Sequence, residues 1–260
     1  MNILEELAAT ARERVAAAKR KRPPAIVRRE AEALPRKDFP FENAIKNAAD
    51  IAFICECKKA SPSKGVIAPN FLYLDIARKY AAAGAECISV LTEPSRFLGD
   101  DRYLAEIAAA VPVPCLRKDF TVDEYMICEA KLLGAAAVLL IVSLLEESEL
   151  REYIAAAHGL GLSALVEAHD EAELNIALKA GAKLVGVNNR NLKNFSVDIN
   201  NSLRLRRAVP DDVIFVAESG ISSPADVDAA RKSGANALLV GEALIRSANI
   251  EAKLRELRRK

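Results

Sequence analysis

Eight continuous apolar stretches alternate along the chain with segments in which apolar residues recur every three or four positions. Continuous stretches are typical of strands buried on both faces, and the wider spacing is typical of amphipathic helices. The predicted strands are residues 51–57, 86–91, 113–118, 137–142, 163–167, 183–187, 213–217 and 237–240. The helices predicted after them are residues 71–83, 100–110, 122–133, 146–157, 170–180, 200–208, 222–233 and 242–257.

Four Gly-Ala pairs, about 50 residues apart, mark places where a predicted helix gives way to a predicted strand. They begin at Gly84, Gly134, Gly181 and Gly234. Glycine suits the left-handed backbone just past a helix end. One further strand and helix fit between consecutive pairs, so strand–helix units repeat along the chain. The repetition predicts a single α/β domain, a closed (β/α)8 TIM barrel, with an open doubly wound sheet as the structural alternative.

Residues 1–48 precede the first predicted strand and contain helical patterns near 3–20, 24–34 and 41–48. Pro23-Pro24 and Pro35 interrupt these patterns. We therefore expect an N-terminal helical extension packed on the barrel, with residues 49–260 forming the barrel itself. The basic stretch Lys19–Arg22 is interpreted as a solvated helix end.

The charge of the chain is nearly balanced, with 37 Lys and Arg against 36 Asp and Glu. Such a balance does not point to nucleic acid or a membrane as partner. The strongest apolar stretch, residues 134–145, is shorter than the roughly 20 residues that span a bilayer. The five cysteines contain no CxxC pair, which predicts a reducing cytoplasm and neither a disulfide framework nor a zinc site.

Charged side chains end four of the predicted strands. Glu56 and Lys58 end the first, Lys118 the third, Glu167 the fifth and Glu218 the seventh. The carboxyl ends of barrel strands meet at one mouth, and alternate strands fill the same interior layers, so these groups should face one another. A structural ion network is the weaker interpretation, because desolvating each charge costs several kcal/mol. The set suits general acid–base catalysis.

A phosphate site is predicted after the seventh and eighth strands, at Ser219-Gly220 and Gly241. Barrels often bind phosphate between these loops, where backbone N–H groups and a helix N-terminus favour an anion. Tight turns are the alternative reason for these glycines.

No other motif in the sequence indicates a dinucleotide or metal site. Residues 159–164 match a dinucleotide-binding pattern but precede a strand instead of following one. His158 and His169 lack metal-like spacing, and we expect surface or capping roles for both and no metal site.

Seven segments, taken in order, closely resemble indole-3-glycerol phosphate synthase. They are 56–65, 91–93, 117–120, 165–167, 188–192, 217–221 and 240–244. Each is modest alone, but their order is specific and the resemblance spans the chain. It implies ring closure and decarboxylation of 1-(2-carboxyphenylamino)-1-deoxyribulose 5-phosphate to indole-3-glycerol phosphate in tryptophan biosynthesis, with loss of carbon dioxide and water. It also implies a small anionic substrate with a carboxylate and a phosphate, and no cofactor or metal.

The resemblance further implies a role for each candidate residue. Lys118 matches the general acid of ring closure, Glu167 the acid and base of dehydration, and Lys58 a group that contacts the substrate carboxylate and shares proton delivery. Glu56 matches a residue that orients the lysines. Four further residues match groups that hold the substrate carboxylate and hydroxyls or support those that do: Asn188, Arg190, Glu218 and Ser219. Of these, Asn188 and Ser219 are assigned to the catalytic residues. Those matched to the phosphate are Ser61, Gly220 and Gly241.

An aromatic slot is implied as well, and the matching positions are Phe97, Phe120, Leu139, Leu192 and Phe195. Ordinary packing at the barrel mouth is nearly as good an interpretation of these apolar residues. Two positions depart from the pattern: Asp100 and Glu242 stand where relatives often have serine. The second departure favours backbone donors as the phosphate contacts.

Three other hypotheses stay open from the sequence. Lys118 could be the nucleophile of a Schiff-base aldolase-like lyase. Phosphoribosylanthranilate isomerase shares the fold and phosphate site, although it would not need the Glu-x-Lys and Lys-Asp-Phe residues. A non-catalytic phosphate-binding barrel would use the charged rim only as a plug or docking surface. For the protein itself we expect a monomer or a weak homo-oligomer.

Overall fold

The computed structural model describes residues 3–191 and 195–259. In this part of the chain, eight parallel strands pair in sequential order, and the last pairs with the first to close a barrel. The strands are β1 Ala52–Cys57, β2 Cys87–Leu91, β3 Cys115–Lys118, β4 Ala137–Ile141, β5 Ser163–Ala168, β6 Leu184–Asn188, β7 Ile214–Glu218 and β8 Ala237–Val240. The predicted (β/α)8 barrel is confirmed, and the alternative of an open sheet is wrong.

Three helices precede the barrel: α1 Ile3–Lys21, α2 Pro24–Ala33 and α3 Pro40–Lys46. The helices that follow the strands are α4 Tyr73–Ala82, α5 Asp101–Ala110, α6 Glu124–Leu132, α7 Glu147–Gly159, α8 Glu171–Lys179, α9 Asn200–Leu205, α10 Pro224–Ser233, α11 Glu242–Ile245 and α12 Ile250–Leu257. Short 3₁₀ turns occupy Val142–Leu144 and Arg206–Ala208.

The helix ends follow the local sequence signals. All four glycines of the Gly-Ala pairs have left-handed backbones, with φ between 83° and 91°, as predicted. The aspartates before α5, α6 and α8 each accept a backbone N–H from the first turn of the helix, as N-caps do. Each strand–helix unit is therefore delimited by its own residues.

Most element ends lie within two residues of the prediction, and three differences are worth describing. The helix expected over 242–257 is two helices, because Asn249 caps a new helix by accepting the N–H of Ala252 at 2.8 Å. Strand β3 starts at Cys115 instead of 113, since Pro114 has no N–H to donate to the sheet. A short hairpin, Ala60–Ser61 with Gly65–Val66, was not predicted.

The core has an outer layer between strands and helices and an inner layer inside the barrel. Cys55 and Cys57 belong to the outer layer, as their alternation with Glu56 predicts. Phe41 of α3 is fully buried against the inner layer, and its carbonyl lies 3.7 Å from the Sγ atom of Cys87 at the start of β2. Helix α3 therefore closes the amino end of the barrel.

The first residues of α1 lie at the opposite, carboxyl end, where Leu4 and Leu7 are buried. Both ends of the inner layer are thus covered by residues that precede β1. The division of the chain into an extension of residues 1–48 and a barrel of residues 49–260 stays a prediction. None of the helices in the described part of the chain has the length and apolar character needed to cross a bilayer.

Candidate active site

A cavity of about 620 Å³ opens at the carboxyl ends of the strands. Its volume suits a small-molecule ligand. Of the candidate residues predicted from the sequence, those within the described part of the chain all line it: Glu56, Lys58, Ser61, Phe97, Lys118, Phe120, Leu139, Glu167, Asn188, Arg190, Phe195, Glu218, Ser219, Gly220 and Gly241. Leu192 lies outside the described residues. Ile3, Leu4 and Leu7 of α1 also line the cavity, which the sequence analysis did not anticipate.

Lys118 occupies the centre of the charged group. Its Nζ atom lies 3.3 Å from Oε2 of Glu167 and 3.5 Å from Oε2 of Glu218. All three side chains come from alternate strands and are largely buried, the lysine retaining 14% exposure. The expected meeting of the charged strand ends is therefore present.

The pKa values in this cluster depend on burial and on neighbouring charge. Burial alone would lower the pKa of Lys118, but Glu167, Glu218 and Glu56 outweigh it and raise that pKa above its ordinary value. Burial would raise the pKa of Glu167, yet Lys118 and His169 hold it well below the usual range. At neutral pH the lysine is thus a charged proton donor beside an ionised carboxylate.

Glu218 behaves differently from Glu167. Burial raises its pKa, and the charges of Glu167 and Glu56 add to that effect, so that it reaches about 8 despite the attraction of Lys118. Its Oε1 atom is buried and has no hydrogen-bond partner among the residues that the structure describes. Glu218 is therefore largely protonated at neutral pH, and its Oε1 atom is buried beside Gly186.

Lys58 forms an ion pair with Glu56 on the same face of β1. Burial opposes ionisation of Glu56, but Lys58 and Lys118 lower its pKa. Both side chains approach Gly241, where a Cβ atom would lie 2.5 Å from Oε2 of Glu56 and 3.1 Å from Nζ of Lys58. Glycine at this position leaves the space that the ion pair occupies.

Asn188 links two parts of the site. Its Nδ2 atom donates to Oε1 of Glu167 at 3.1 Å, and its Oδ1 accepts the backbone N–H of Arg190 at 3.0 Å. The guanidinium of Arg190 donates to the carbonyl of Phe195 at 3.3 Å and lies 3.9 Å from Glu242. The end of β6 therefore fixes one oxygen of Glu167 and directs a cation towards the cavity.

The loop predicted to bind phosphate has a constrained backbone conformation. Ser219 and Gly220 both have positive φ, 68° and 87°. A Cβ atom on Gly220 would lie 2.7 Å from Cγ1 of Val197, so a larger residue would be strained and would have to displace that side chain. Lys58, Lys64 and Arg246 also line the cavity and give it the positive charge that an anion requires.

Aromatic rings form another wall. Phe97 and Phe120 lie 6.1 Å apart between ring centroids, with an interplanar angle of 41°. Buried Glu93 holds the loop that carries Phe97, because its carboxylate accepts the backbone N–H groups of Ser95, Arg96 and Phe97 at 2.8–3.0 Å. An apolar slot next to charged groups can bind an aromatic anion.

His169 was expected to have a surface or capping role, and the structure gives it a different environment. Its Nδ1 atom is 2.9 Å from Oε2 of Glu173, and its Nε2 atom is 3.4 Å from Oε1 of Glu167. The available signal was its position two residues after Glu167, which places both side chains on the same side of the strand end. In residues 3–191 and 195–259, no group of three or more His, Cys, Asp or Glu is arranged to hold a metal ion.

Known proteins resemble this chain over most of its length. The sequence profile of the indole-3-glycerol phosphate synthase family matches residues 4–257. A protein of that name from Ruminiclostridium cellulolyticum is 54% identical over 257 residues, covering 98% of both chains. Another from Endomicrobium trichonymphae is 50% identical over 257 residues, covering 98% of this chain and 99% of the relative. Among solved structures, a 3-hexulose-6-phosphate synthase has a TM-score of 0.67 at 20% identity, covering 80% of this chain and 98% of its own, which reflects the fold alone.

Proposed function

Because the chain belongs to the indole-3-glycerol phosphate synthase family, the carboxy-lyases of tryptophan biosynthesis, we propose that Lys118 and Glu167 perform the proton transfers of its reaction. That reaction joins the aryl carbon of 1-(2-carboxyphenylamino)-1-deoxyribulose 5-phosphate to its ketone, then releases carbon dioxide and water. The observation that supports these roles best is the buried contact of Lys118 with Glu167, at 3.3 Å within the cavity.

Ring closure places negative charge on the ketone oxygen. A buried ammonium group next to that oxygen stabilises the charge as it develops and donates the proton that neutralises it. Lys118 is suited to this step because the ionised carboxylates of Glu167 and Glu56 keep it protonated. The same protonation argues against the Schiff-base alternative, since a nucleophilic lysine must first lose its proton.

Dehydration requires a proton for the departing hydroxyl and a base for a second proton. Glu167 is positioned for both, because Asn188 holds its Oε1 atom while its Oε2 atom faces Lys118. Glu56 positions Lys58 through their ion pair, and we assign Lys58 to the substrate carboxylate. The assignment keeps both lysines on the reacting half of the substrate.

Binding of the remaining substrate groups follows the shape of the cavity. Phe97, Phe120, Leu139 and Phe195 provide the slot for the aromatic ring, and Leu192 is assigned to it by resemblance. Arg190, Glu218 and Ser219 contact the carboxylate and hydroxyls. Ser61, Gly220 and Gly241 meet the phosphate, mainly through backbone N–H groups. We further propose that the protein is a monomer or weak homo-oligomer and needs no cofactor. A cytoplasmic location is in keeping with its five free cysteines.

Formation of the indole chromophore from the carboxyphenylamino ribulose phosphate, by purified protein without added metal, tests the reaction. Lys118→Met should lower kcat about 1,000-fold through loss of the oxyanion donor, and Glu167→Gln should lower it about 100-fold or more. Lys79→Met is the matched control, because Lys79 pairs with Asp75 on the surface of α4. Circular dichroism should show each variant folded.

Full activity of Lys118→Met or Glu167→Gln would remove the role assigned to that residue. No turnover by the wild-type protein would overturn the proposed function. Borohydride should trap no substrate on Lys118, and covalent trapping there would favour the aldolase-like lyase.

A further inference from the structure

The imidazole ring of His169 lies between two carboxylates on opposite sides. On one side, Glu167 forms part of the active-site cavity, with its side chain only 3% exposed. On the other side, Glu173 is 20% exposed and lines a second cavity of about 490 Å³. His169 lines this second cavity too. The ring therefore connects a buried active-site carboxylate to a carboxylate at the solvent side.

Both ring nitrogens face acceptors. Nδ1 is 2.9 Å from Oε2 of Glu173, and the same carboxylate accepts the backbone N–H of His169 at 2.8 Å. Nε2 is buried and has only the longer, 3.4 Å approach to Oε1 of Glu167 within the described part of the chain. Two carboxylate neighbours favour a ring that carries a proton on each nitrogen.

The charge state agrees with the geometry. Burial would lower the pKa of His169, but its contacts with Glu167 and Glu173 raise it to about 10. The other charged groups that line the second cavity are three acids and two bases: Glu5, Asp170, Asp198, Arg190 and Arg204. Below that pKa, His169 is an imidazolium with one proton directed at Glu167.

The reaction itself consumes a proton. The substrate enters with an ionised aryl carboxylate, which leaves as neutral carbon dioxide, so one negative charge disappears in each turnover. A proton from outside the substrate must balance that charge, and it leaves in the water released. Bound substrate would displace bulk water from the cavity. Glu167 therefore needs another source for this proton.

We propose that His169 stores this proton and supplies it through Glu167; the proposal rests on the function proposed above. The Nε2–H bond of the imidazolium breaks, and the proton passes to the Glu167 carboxylate and then to the departing hydroxyl. The C–O bond of the substrate breaks with its electron pair going to oxygen, and water is released. A C–H bond on the adjacent ring carbon then breaks, and its electron pair forms the C=C bond of the indole. Its proton goes to Glu167, which returns it to Lys118, the donor in ring closure, across their 3.3 Å contact. His169 remains neutral with its other proton on Nδ1, held by Glu173, and is protonated again from solvent after the product leaves.

The first test removes the transferable proton but keeps a donor. In His169→Gln, the side-chain amide can donate to Glu167 but cannot release a proton. We expect kcat to fall about 100-fold with little change in KM. Quenched single turnovers should accumulate the closed, decarboxylated intermediate, because only dehydration is slowed. A merely structural role would not select that one step.

The second test keeps the ring and changes its acidity. Wild-type kcat should decline as the pH approaches about 10, where His169 loses its proton. Glu173→Gln removes one of the charges that raise the pKa of His169, so the decline should move to lower pH. His158→Asn is the control, since His158 lies at the end of α7 with its ring edge-on to Phe39, and it should leave the profile unchanged.

A third measurement asks whether an added acid replaces the stored proton. His169→Ala should regain activity with added imidazole, and the rate should follow the concentration of the protonated form. Wild-type kcat and pH profile in His169→Gln, or an unmoved decline in Glu173→Gln, would overturn the proton store while leaving the proposed function intact. Failure of the wild-type protein to form product would instead overturn the function.

Discussion

At the scale of single residues, two buried glutamates beside one lysine differ in charge at neutral pH: Glu167 is ionised and Glu218 is largely neutral. Glu167 receives a hydrogen bond from Asn188 and lies near the His169 ring, and these contacts together with Lys118 lower its pKa. Within residues 3–191 and 195–259, the Glu218 carboxyl has only the 3.5 Å contact with Lys118, and burial raises its pKa to about 8. The difference comes from donors on neighbouring residues, since the two side chains are chemically identical. One carboxyl is available as a base while the other can donate a hydrogen bond.

Gly186 determines where the Glu218 carboxyl can lie. A Cβ atom at residue 186 would collide with Oε1 of Glu218 and would lie 3.2 Å from Cδ1 of Leu165. We expect Gly186→Ala to displace the carboxyl, to lower kcat at least tenfold, and to cost about 1–3 kcal/mol of stability through overpacking. Steady-state kinetics and urea unfolding measure the two effects.

Gly159→Ala provides the comparison for Gly186→Ala. A Cβ atom on Gly159, the last residue of α7, would meet no atom within 4 Å. This variant should keep wild-type kinetics and stability. Equal behaviour of the two alanine variants would contradict the claim that the space at Gly186 is needed for Glu218.

Much of the site was predictable from short-range pattern. Side chains alternate along a strand, so Glu56, Lys118, Glu167 and Glu218 could be placed inside one mouth without coordinates. His169 lies within four residues of both Glu167 and Glu173, but the spacing alone did not show that its ring lies between their carboxylates. The wall made by Leu4 and Leu7 could not be predicted, because these contacts join elements distant in the chain. The state of a titratable group also depends on such contacts, which a linear sequence does not contain.

At the scale of elements, helix α1 is fastened to the end of β3 by a buried ion pair. The guanidinium of Arg14 donates twice to Asp119, at 2.7 and 3.1 Å, and Thr92 donates to the same carboxylate at 2.7 Å. Asp119 follows Lys118 directly and accepts the N–H of Phe120 at 2.8 Å. Docking of the helix and placement of two site residues therefore depend on one carboxylate.

Arg14→Met should loosen this attachment. Loss of the paired donors leaves a buried carboxylate less satisfied, and we expect a loss of about 1–3 kcal/mol in the free energy of unfolding. KM should rise because α1 forms part of the cavity wall. Arg12→Met, on an exposed face of the same helix, should change neither quantity. An Arg14→Met protein with wild-type stability and KM would contradict the fastening role.

Element boundaries were predictable where a residue imposes them directly. Glycines with positive φ ended helices as expected. The division of the last predicted helix into α11 and α12 was missed. The apolar spacing continues across the boundary, and the signal for a new helix is the N-cap residue Asn249. The hairpin after β1 is held by two paired positions and gives no periodic signal of its own.

At the scale of the whole molecule, the charged mouth should make stability depend on pH. The folded pKa of Glu218, about 8, lies above the ordinary value of 4.5. The folded protein thus binds more protons than the unfolded chain in this window, and the free energy of unfolding contributed by Glu218 falls as the pH rises from about 4.5 to 8. Glu167, with a lowered pKa, contributes in the opposite sense, and its contribution is lost as the pH falls below about 4.5.

Glu218→Gln should remove the decrease in the free energy of unfolding that Glu218 causes between about pH 4.5 and 8. As the pH rises from 5 to 8, the variant should become more stable relative to the wild-type protein. Urea unfolding across that range measures the difference. Glu147→Gln, at the exposed start of α7, should show a constant difference from wild type. A constant difference for Glu218→Gln as well would show that the folded and unfolded proteins bind this proton equally.

The position of α1 has a practical consequence for handling the protein. Its first described residue, Ile3, already lines the active-site cavity. A purification tag or surface linker joined ahead of α1 would lie close to the rim of that cavity. Attachment after α12, whose residues Leu254 and Leu257 pack in the outer layer, would leave that rim unobstructed.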